Sequence, residues 1–415
     1  MSTSIGIVGG GILGAALLHL LTERHPDCSF TLFEKESAPA LHQTGHNSGV
    51  VHAGLYYTPG SLKATLTRRG VALVKAFAEQ HGLPYDECGK LLIATDEAQV
   101  HRLEQIAETA RANGVPGIEI LRTLEQIRRV EPHANGIAAL HSPTTAITDY
   151  AAITRKLLDL SEQRGAELRF GARVTGVTGS DSGAVVEVGG ERLAFDRVIV
   201  CAGLQSDRIA KTTGGGRFPA IVPFAGSYYT LAQPKADLVK GLIYPVPDPA
   251  FPFLGVHLSR MIDGRVLVGP SAFLSFRREG YSSLSFSLRD SLQIAGTGAF
   301  WRFAARNIRS AVQQLEGNTR RAFARQSRDF ISGIERRDLL PGTRGVRAQA
   351  MRSDGALEED FVIERSGRVT HVRNAPSPAA TSSMAIAEHI ADMIGLGAGR
   401  SGATGGTSAA EERRA

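Results

Sequence analysis

The apolar and polar positions near the start of the chain follow an order typical of a nucleotide-binding unit. An apolar run at residues 5–8 predicts a strand, and the glycine-rich residues 9–14 predict a turn. Leucines and alanines at residues 15–21 then predict a helix, and residues 30–33 predict a second strand that ends at Glu34. Strand, glycine turn, helix, strand and acid are the parts of a dinucleotide-binding Rossmann unit.

The turn has the Gly-x-Gly-x-x-Gly pattern, in which each glycine has its own physical role. Gly9 permits the tight turn, Gly11 lets the backbone approach a pyrophosphate, and Gly14 lets the helix pack close to the strand. The helix N-terminus offers N–H groups and a positive dipole end to phosphates. Glu34 can accept hydrogen bonds from ribose hydroxyls and would repel a 2′-phosphate, which disfavours NADP. The pattern alone does not distinguish NAD from FAD.

Further strand and helix patterns of this type lie far downstream. They are strands at residues 167–173 and 174–177, a hairpin at 184–188 and 191–195, a strand at 197–201, and a strand at 367–372 followed by a helix through 384–394. Two insertions of different character separate them. The first has helical charge patterning, and the second combines strands rich in Val, Phe and Tyr with a long helical stretch.

We therefore expect an α/β (α+β) fold in which a discontinuous Rossmann-like domain carries an interleaved mixed-sheet substrate domain. The expected bounds are 1–81, 146–216 and 336–396 for the Rossmann-like domain, and 82–145 and 217–335 for the substrate domain. Residues 397–415 are rich in Gly, Ser, Thr and Ala without apolar periodicity, so we expect a disordered tail.

Composition narrows the class of protein. The 415 residues include three cysteines without metal or disulfide spacing, and no apolar run approaches the ~18 residues that span a bilayer. The first strand begins almost at the first residue, so we expect no signal peptide and a cytoplasmic location. The net charge of +6 permits attraction of an acidic substrate or contact with an anionic membrane. We expect neither a metal site nor nucleic-acid binding.

Residues 301–328 are strongly basic, with aromatic residues among the arginines. Such helices can rest on anionic lipid, which would place the protein peripherally on the inner membrane. A solvated helical face of the substrate domain is the other interpretation. The arginines are Arg302, Arg306, Arg309, Arg320, Arg321, Arg325 and Arg328.

Several longer segments carry a resemblance to a known family. The first reads HQTGHNSGVVHAGLYY and begins at His42, and the others are residues 87–91, 113–117, 201–207, 252–257, 345–349 and 374–383. Through them the chain, up to about Leu396, resembles the L-2-hydroxyglutarate oxidases and dehydrogenases of the D-amino-acid-oxidase type flavoprotein superfamily. The resemblance implies FAD rather than NAD. The three-piece organisation agrees, because a simple NAD domain is usually contiguous.

The resemblance also implies a reaction. It is FAD-dependent oxidation of a 2-hydroxy acid by hydride transfer to flavin N5, with L-2-hydroxyglutarate and 2-oxoglutarate as the preferred pair. Electrons would then pass to a membrane quinone rather than to oxygen. Oxidation of an amino acid or secondary amine on the same fold, and FAD binding without turnover, are the alternatives.

The resemblance implies a set of FAD-binding residues. Residues 44–49 would lie along the pyrophosphate and flavin, Val174 would contact the adenine through its backbone, and N–H groups at 379–381 would face flavin O2 and N1. His42 or His46 could carry a covalent flavin link, although hydrogen bonding is the simpler expectation. The full set is Gly9, Gly11, Ile12, Leu13, Gly14, Glu34, Lys35, Thr44, His46, Asn47, Ser48, Gly49, Val174, Ala202, Gly203, Pro378, Ala379, Ala380 and Thr381.

Five side chains are candidates for catalysis. His257 ends an apolar run, where an imidazole is either a core residue or a general base, and the family match favours the base. Arg347 can hold a carboxylate through two parallel hydrogen bonds, the alternative being a surface ion pair. His52 would orient substrate or cap a turn. Tyr56 and Tyr57 would donate hydroxyls to the same anion or pack in the core.

Two departures from the family pattern affect the expected substrate. Ala225 and Ser227 stand where relatives usually have an Arg and an acid, and Arg277 stands where a lysine is common. If the first two positions line the pocket, the chain should prefer a shorter or less charged 2-hydroxy acid.

Overall fold

The computed structural model describes residues 2–248, 255–271, 273–282, 285–308 and 319–397. The strands, in chain order, are β1 (Ser4–Val8), β2 (Ser29–Phe33), β3 (Val50–Val51), β4 (Tyr85–Asp86), β5 (Lys90–Ala94), β6 (Glu119–Leu121), β7 (Ala138–Ser142), β8 (Ala146–Thr148), β9 (Glu167–Arg169), β10 (Val174–Gly179), β11 (Ala184–Val188), β12 (Glu191–Phe195), β13 (Arg197–Val200), β14 (Ala220–Leu231), β15 (Leu242–Pro245), β16 (His257–Arg260), β17 (Val266–Gly269), β18 (Phe273–Leu274), β19 (Leu339–Met351), β20 (Val362–Ser366) and β21 (Val369–Asn374). The α-helices are α1 (Ile12–Arg24), α2 (Leu62–Gln80), α3 (Glu97–Ala112), α4 (Leu124–Val130), α5 (Tyr150–Gln163), α6 (Ser206–Thr212), α7 (Gln233–Ala236), α8 (Leu288–Ala295), α9 (Gly298–Arg306), α10 (Arg320–Arg328) and α11 (Ala379–Met393).

A six-stranded sheet in the order β20-β21-β13-β1-β2-β9 is the centre of the Rossmann-like part. Its strands from β21 to β9 pair in parallel, and β20 pairs antiparallel at the edge. Ile7 and Ile199 pack into the layer of α1, α2, α5 and α11, whereas Val8 and Val200 pack against the β10-β11-β12 sheet. Burial on both faces explains why these strands read as continuous apolar runs.

A nine-stranded mixed sheet forms the second part of the molecule. Its order is β18-β14-β17-β16-β15-β5-β7-β6, with β19 paired to β14. Its pairs are antiparallel except for the parallel pair of β5 with β15. Phe323 of α10 belongs to one of its hydrophobic clusters, and Leu103 of α3 to another. The predicted fold class, a discontinuous Rossmann-like domain with an interleaved mixed-sheet domain, is confirmed.

The longest strand pairing joins β14 to β19. It runs antiparallel from the pair Ala220–Met351 to the pair Leu231–Leu339, with one irregularity between Ser227 and Tyr229. The expected bounds assigned β19 to the Rossmann-like domain, whereas its hydrogen bonds place it in the mixed sheet. We therefore propose that the last domain boundary lies after β19 rather than at residue 336.

The predicted local elements agree with the structure except at several ends. The hairpin of β11 and β12 has the predicted bounds. The strand predicted at 167–173 ends at Arg169, because the chain turns there. The late helix begins at Ala379, one residue after Pro378. Of the basic stretch, residues 309–318 lie outside the described residues, as does the expected tail from residue 398 onward. Within the described ranges, no helix is both long and apolar enough to cross a bilayer.

Helices α2 and α11 approach each other at Gly70. A Cβ atom built on Gly70 would lie 2.3 Å from the carbonyl oxygen of Thr381 and 2.7 Å from the Cα of Ser382. The hydroxyls of Thr67 and Ser382 are 3.2 Å apart in the same contact. Only glycine allows this approach, which fixes the start of α11.

We expect Gly70→Val to destabilise the fold by roughly 1–3 kcal/mol, since the added side chain must displace backbone atoms of α11. Thermal unfolding should show the loss. The control is Ala76→Val, because Ala76 is exposed on the same helix and the change costs only the lower helix propensity of valine, about 0.5 kcal/mol. Equal unfolding midpoints for the two variants would contradict the close packing at Gly70.

Candidate active site

A cavity of about 1240 Å³ runs between the two parts of the molecule. It extends from the glycine turn and Glu34 to His257 and Arg347. All the residues expected to bind cofactor or act in catalysis line it except Gly14 and Gly49. A Cβ on Gly14 would lie 2.0 Å from the carbonyl oxygen of Gly9, so Gly14 allows the close packing of helix and turn expected of it. Gly49, at φ +67°, instead lies against the carbonyl oxygen of Thr148.

Backbone hydrogen bonds shape the glycine turn around Glu34. The Glu34 carboxylate is buried and accepts from the N–H of Gly10 at 2.7 Å and of Glu36 at 2.9 Å. The N–H of Ile12, at the start of α1, donates to the hydroxyl of Thr44 at 3.1 Å. The acid at the end of β2 therefore anchors the turn as well as lining the cavity.

Side chains from the loop itself and from a distant segment hold the loop that carries His42 and His46. The Asn47 amide donates to the carbonyls of Gln43 and Thr44 and accepts from the N–H of Gly49. The His46 ring stacks on Tyr281, with centroids 4.0 Å apart. The His42 ring contacts Glu36 and Tyr281.

Lys35, Glu36, His42 and Glu279 form an ion-pair cluster at this end of the cavity. The oxygen and nitrogen ligands of the two acids and His42 are close enough to hold a metal ion. The ammonium of Lys35 already contacts all three side chains, at 3.1 Å in the case of Glu279. This ammonium supplies the positive charge that the cluster requires.

The start of α11 closes the middle of the cavity. The N–H of Ala379 donates to the carbonyl of Pro376 at 2.9 Å. This N–H is therefore already paired, whereas the family resemblance implied that it would face the flavin. Ala380 and Thr381 line the cavity next to it, and no side chain caps the helix. The amide oxygen of Asn374, also at the lining, is buried without a hydrogen-bond partner among the described residues. A glycine-rich turn, two helix starts at the lining and an unpaired buried oxygen fit a bound dinucleotide.

His257 lies in a buried position at the other end of the cavity. Its Nδ1 is 3.0 Å from the carbonyl of Gly255, and its ring stacks on Tyr244 with centroids 3.9 Å apart. Burial, together with the nearby cations Lys90 and Arg347, lowers the pKa of His257 to about 3. A neutral imidazole that donates from Nδ1 keeps the lone pair of Nε2 to accept a proton.

His52 faces the same region from the loop after β3. Its N–H donates to the hydroxyl of Thr381 at 3.1 Å. Burial and the nearby Lys90 lower the pKa of His52 to about 3, with His257, Arg347 and Lys63 acting in the same direction. The charged groups that act on both histidines are cations. This end of the cavity therefore attracts an anion.

Arg347 and Tyr228 project from neighbouring strands of the mixed sheet. The Tyr228 hydroxyl hydrogen-bonds to Arg347 and to Ser48, which links β14, β19 and the loop that carries His46. Burial raises the pKa of Tyr56 to about 12 and that of Tyr57 well above its ordinary value, so both hydroxyls stay protonated donors.

Three polar side chains in or next to this end of the cavity were not predicted from the sequence. Lys63 lines the cavity, with its ammonium 5.2 Å from the ring centroid of Tyr57, and Lys90 lies behind Tyr56. Tyr228 is the third. A usable signal existed for Lys90, since a lysine directly before Leu91 in a buried-type strand needs an explanation.

Two of the three residues that depart from the family pattern, Ala225 and Ser227, do not line the cavity. Gly226 and Tyr228 of β14 face it, whereas Ala225 and Ser227 alternate to the other side. Ala225 packs against Leu204 and Val346. Arg277, the third departure, does line the cavity.

Solved structures of other proteins share this architecture. An L-alpha-glycerophosphate oxidase from Mycoplasma pneumoniae, reduced with dithionite and with FAD bound, matches with a TM-score of 0.78 and 20% identity over 95% of each chain. Glycine oxidase from Geobacillus kaustophilus matches with a TM-score of 0.69 and 17% identity, again over 95% of each chain. At these identities the likeness shows the fold.

Curated relatives are much more similar in sequence. The L-2-hydroxyglutarate dehydrogenase of Escherichia coli (strain K12) is 42% identical over 391 residues, covering 94% of this chain and 92% of the relative. The mitochondrial L-2-hydroxyglutarate dehydrogenase of Homo sapiens is 40% identical over 411 residues, covering 95% and 89%. A family model described as FAD dependent oxidoreductase matches residues 4–393. The chain therefore belongs to the FAD dependent oxidoreductase family, and its cofactor is FAD.

Proposed function

We propose that this protein oxidises a 2-hydroxy dicarboxylic acid, with L-2-hydroxyglutarate and 2-oxoglutarate as the preferred pair. The observation that carries the proposal is the buried neutral imidazole of His257 near the guanidinium of Arg347, at one end of the cavity that fits a dinucleotide. The names of the relatives at 42% and 40% identity support the choice of substrate. The position of Ala225 and Ser227 away from the cavity removes the reason to expect a less charged acid.

The chain's own residues can bind and orient such a substrate. Arg347, held by Tyr228, binds the carboxylate next to the reacting carbon through paired hydrogen bonds. Nε2 of His257 accepts the hydroxyl proton, and the neutral His52 orients the hydroxyl. Tyr57 donates a hydrogen bond from its hydroxyl to the same carboxylate. Bound FAD supplies the acceptor for the hydride that leaves C2, so the hydroxy acid becomes a 2-oxo acid.

We propose that the electrons pass to a quinone and that a patch on α8 and α9 contacts the membrane. Large apolar side chains are exposed on this patch, and the indole of Trp301 donates to the carbonyl of Ala295, which joins the two helices. Arg302 and Arg306 lie on the same helix as Trp301. The exposed side chains of the patch are Leu288, Leu292 and Trp301 on the two helices, with Phe276, Phe286 and Ile308 in the segments beside them. Apolar side chains flanked by arginines suit an anionic bilayer surface.

His257→Gln should keep its flavin and lose on the order of 10²-fold or more in the rate of flavin reduction by L-2-hydroxyglutarate, because it lacks a proton acceptor. Anaerobic stopped-flow absorbance measures this rate. The control is His101→Gln at an exposed position of α3. The low pKa of His257 keeps its imidazole neutral above pH 6, so the parent rate should not fall between pH 8 and pH 6 through protonation of this residue. Parent-like reduction by His257→Gln would remove His257 from the mechanism.

Arg347→Met should lower kcat/KM for L-2-hydroxyglutarate by a factor that corresponds to roughly 2–5 kcal/mol, since the carboxylate loses a charge-assisted partner. Arg352→Met, at an exposed position beyond the strand, is the control.

Flavin bleaching by L-2-hydroxyglutarate, L-malate, L-lactate and a panel of amino acids tests the substrate class. Bleaching by an amino acid alone would overturn the hydroxy-acid proposal in favour of amine oxidation, and no bleaching by any compound would favour a non-catalytic flavoprotein.

The double change Leu288→Ser and Trp301→Ser should weaken sedimentation with anionic phosphatidylglycerol vesicles by on the order of tenfold or more, because two large side chains no longer enter the lipid. Leu124→Ser, on α4, is the control outside the patch. Vesicles of neutral lipid should bind the parent less, since the arginines lose their partners. Equal sedimentation of all three proteins would exclude the patch as the contact.

A further inference from the structure

Lys90 is a buried cation whose charge has no acidic partner. It is the first residue of β5, and only 2% of it is exposed. Its ammonium lies 3.3 Å from the hydroxyl of Tyr56 and 3.8 Å from the ring centroid of Tyr244. Among the described residues, no carboxylate comes within ion-pairing distance of it. Two other deeply buried cations are paired, Arg278 with Asp207 and Arg373 with Glu364.

A buried ammonium without a countercharge is costly, because two aromatic rings and one hydroxyl replace little of its hydration. The position of Tyr56 suggests where the countercharge comes from. Tyr56 lines the cavity and also contacts Lys90. Its hydroxyl can accept a hydrogen bond from the ammonium and donate its own proton to an anion in the cavity.

We propose that Lys90 is a positioning and specificity residue which, through the hydroxyl of Tyr56, holds the substrate carboxylate remote from the reacting carbon. The inference rests on the proposed function, in which Arg347 binds the other carboxylate. The second carboxylate supplies the missing countercharge, so the site favours dicarboxylates over monocarboxylates of the same length.

Protonation of Lys90 should therefore be linked to ligand binding. Burial lowers the pKa of Lys90 to about 7 without ligand, and a nearby carboxylate would raise it. Tyr56 and Tyr244 contact Lys90, its charge acts on His52 and His257, and Arg347 and Lys63 also act on His52. The histidines remain neutral and the two tyrosines remain protonated at pH 7–9, whereas the Lys63 pKa is also lowered by burial. Above pH 7, binding of a dicarboxylate should be accompanied by uptake of a proton. The affinity for the dicarboxylate should then fall by up to about tenfold for each unit of increase in pH.

Calorimetry on the FAD-loaded protein tests the inference without turnover. The ligands are 2-oxoglutarate and 2-oxopentanoate, which share a chain length and differ in the remote carboxylate. At pH 8, in buffers of different ionisation enthalpy, the parent should bind 2-oxoglutarate with uptake approaching one proton. Lys90→Met should bind it at least tenfold more weakly without that uptake, and should bind 2-oxopentanoate like the parent. Lys75→Met, at a surface ion pair with Glu87, should match the parent.

The variant Tyr56→Phe distinguishes a positioning role of Lys90 from a purely structural role in folding. If Lys90 acts through the Tyr56 hydroxyl, Tyr56→Phe should weaken 2-oxoglutarate binding alone and add little in the Lys90→Met background. Additive losses, equal weakening of both ligands, or a parent that binds 2-oxoglutarate without proton uptake would overturn the inference. If Lys90→Met does not fold, the absence of proton uptake by the parent still overturns the inference, and the loss of uptake in Tyr56→Phe supports it. Flavin bleaching by L-2-hydroxyglutarate in a parent that shows no proton uptake would overturn the role of Lys90 and leave the proposed function intact.

Discussion

The pairing of β14 with β19 is the constraint on which the geometry of the site depends. The chain leaves the Rossmann-like part before Ala220 and returns to it after Met351, and these two residues are paired in the ladder. The two crossings that flank residues 220–351 are thereby held together. Arg278 pairs with Asp207 of α6 in the same region, which fixes the crossing that leads into β14. Arg347 projects from this ladder, so its distance from the cofactor end of the cavity is set by a long, cooperative hydrogen-bond pattern.

Close backbone contacts fix the opposite side of the cavity. Gly14 lets α1 start directly against the turn at Gly9, and Gly70 lets α2 touch the start of α11. Both contacts put a helix N-terminus at the cavity lining, where the helix dipole favours negative charge. The cofactor end is therefore built from rigid backbone, whereas the substrate end is built from side chains of the mixed sheet.

The two ends differ in how far the sequence predicts them. The glycine turn, Glu34 and the helix that follows are local patterns, so their positions at the cavity follow from neighbours in the chain. The substrate end depends on the register of the long strands. Tyr228 faces the cavity and Ser227 does not, and the pairing of β14 with β19 determines which of these side chains faces it. The same long-range pairing places β19 in the mixed sheet, whereas the bounds expected from the sequence assign it to the Rossmann-like domain. Lys90 is hidden for a related reason, because its burial depends on Tyr56 and Tyr244 from other elements.

The cations at the substrate end act on the base and on the ligand at once. Lys90 and Arg347 help to lower the pKa of His257, which keeps its imidazole unprotonated but also makes it a weak proton acceptor. A dicarboxylate brings two negative charges into the same region and cancels much of that field. The part of the lowering of the His257 pKa that comes from these cations is then reduced, whereas the larger part, which comes from burial, remains. A ligand of the right charge therefore strengthens the base that has to accept its proton, whereas a neutral or monoanionic ligand of similar shape does so less. By this argument charge selectivity enters the proton-transfer step as well as binding, and a chain with the same histidine but fewer cations would lose that coupling.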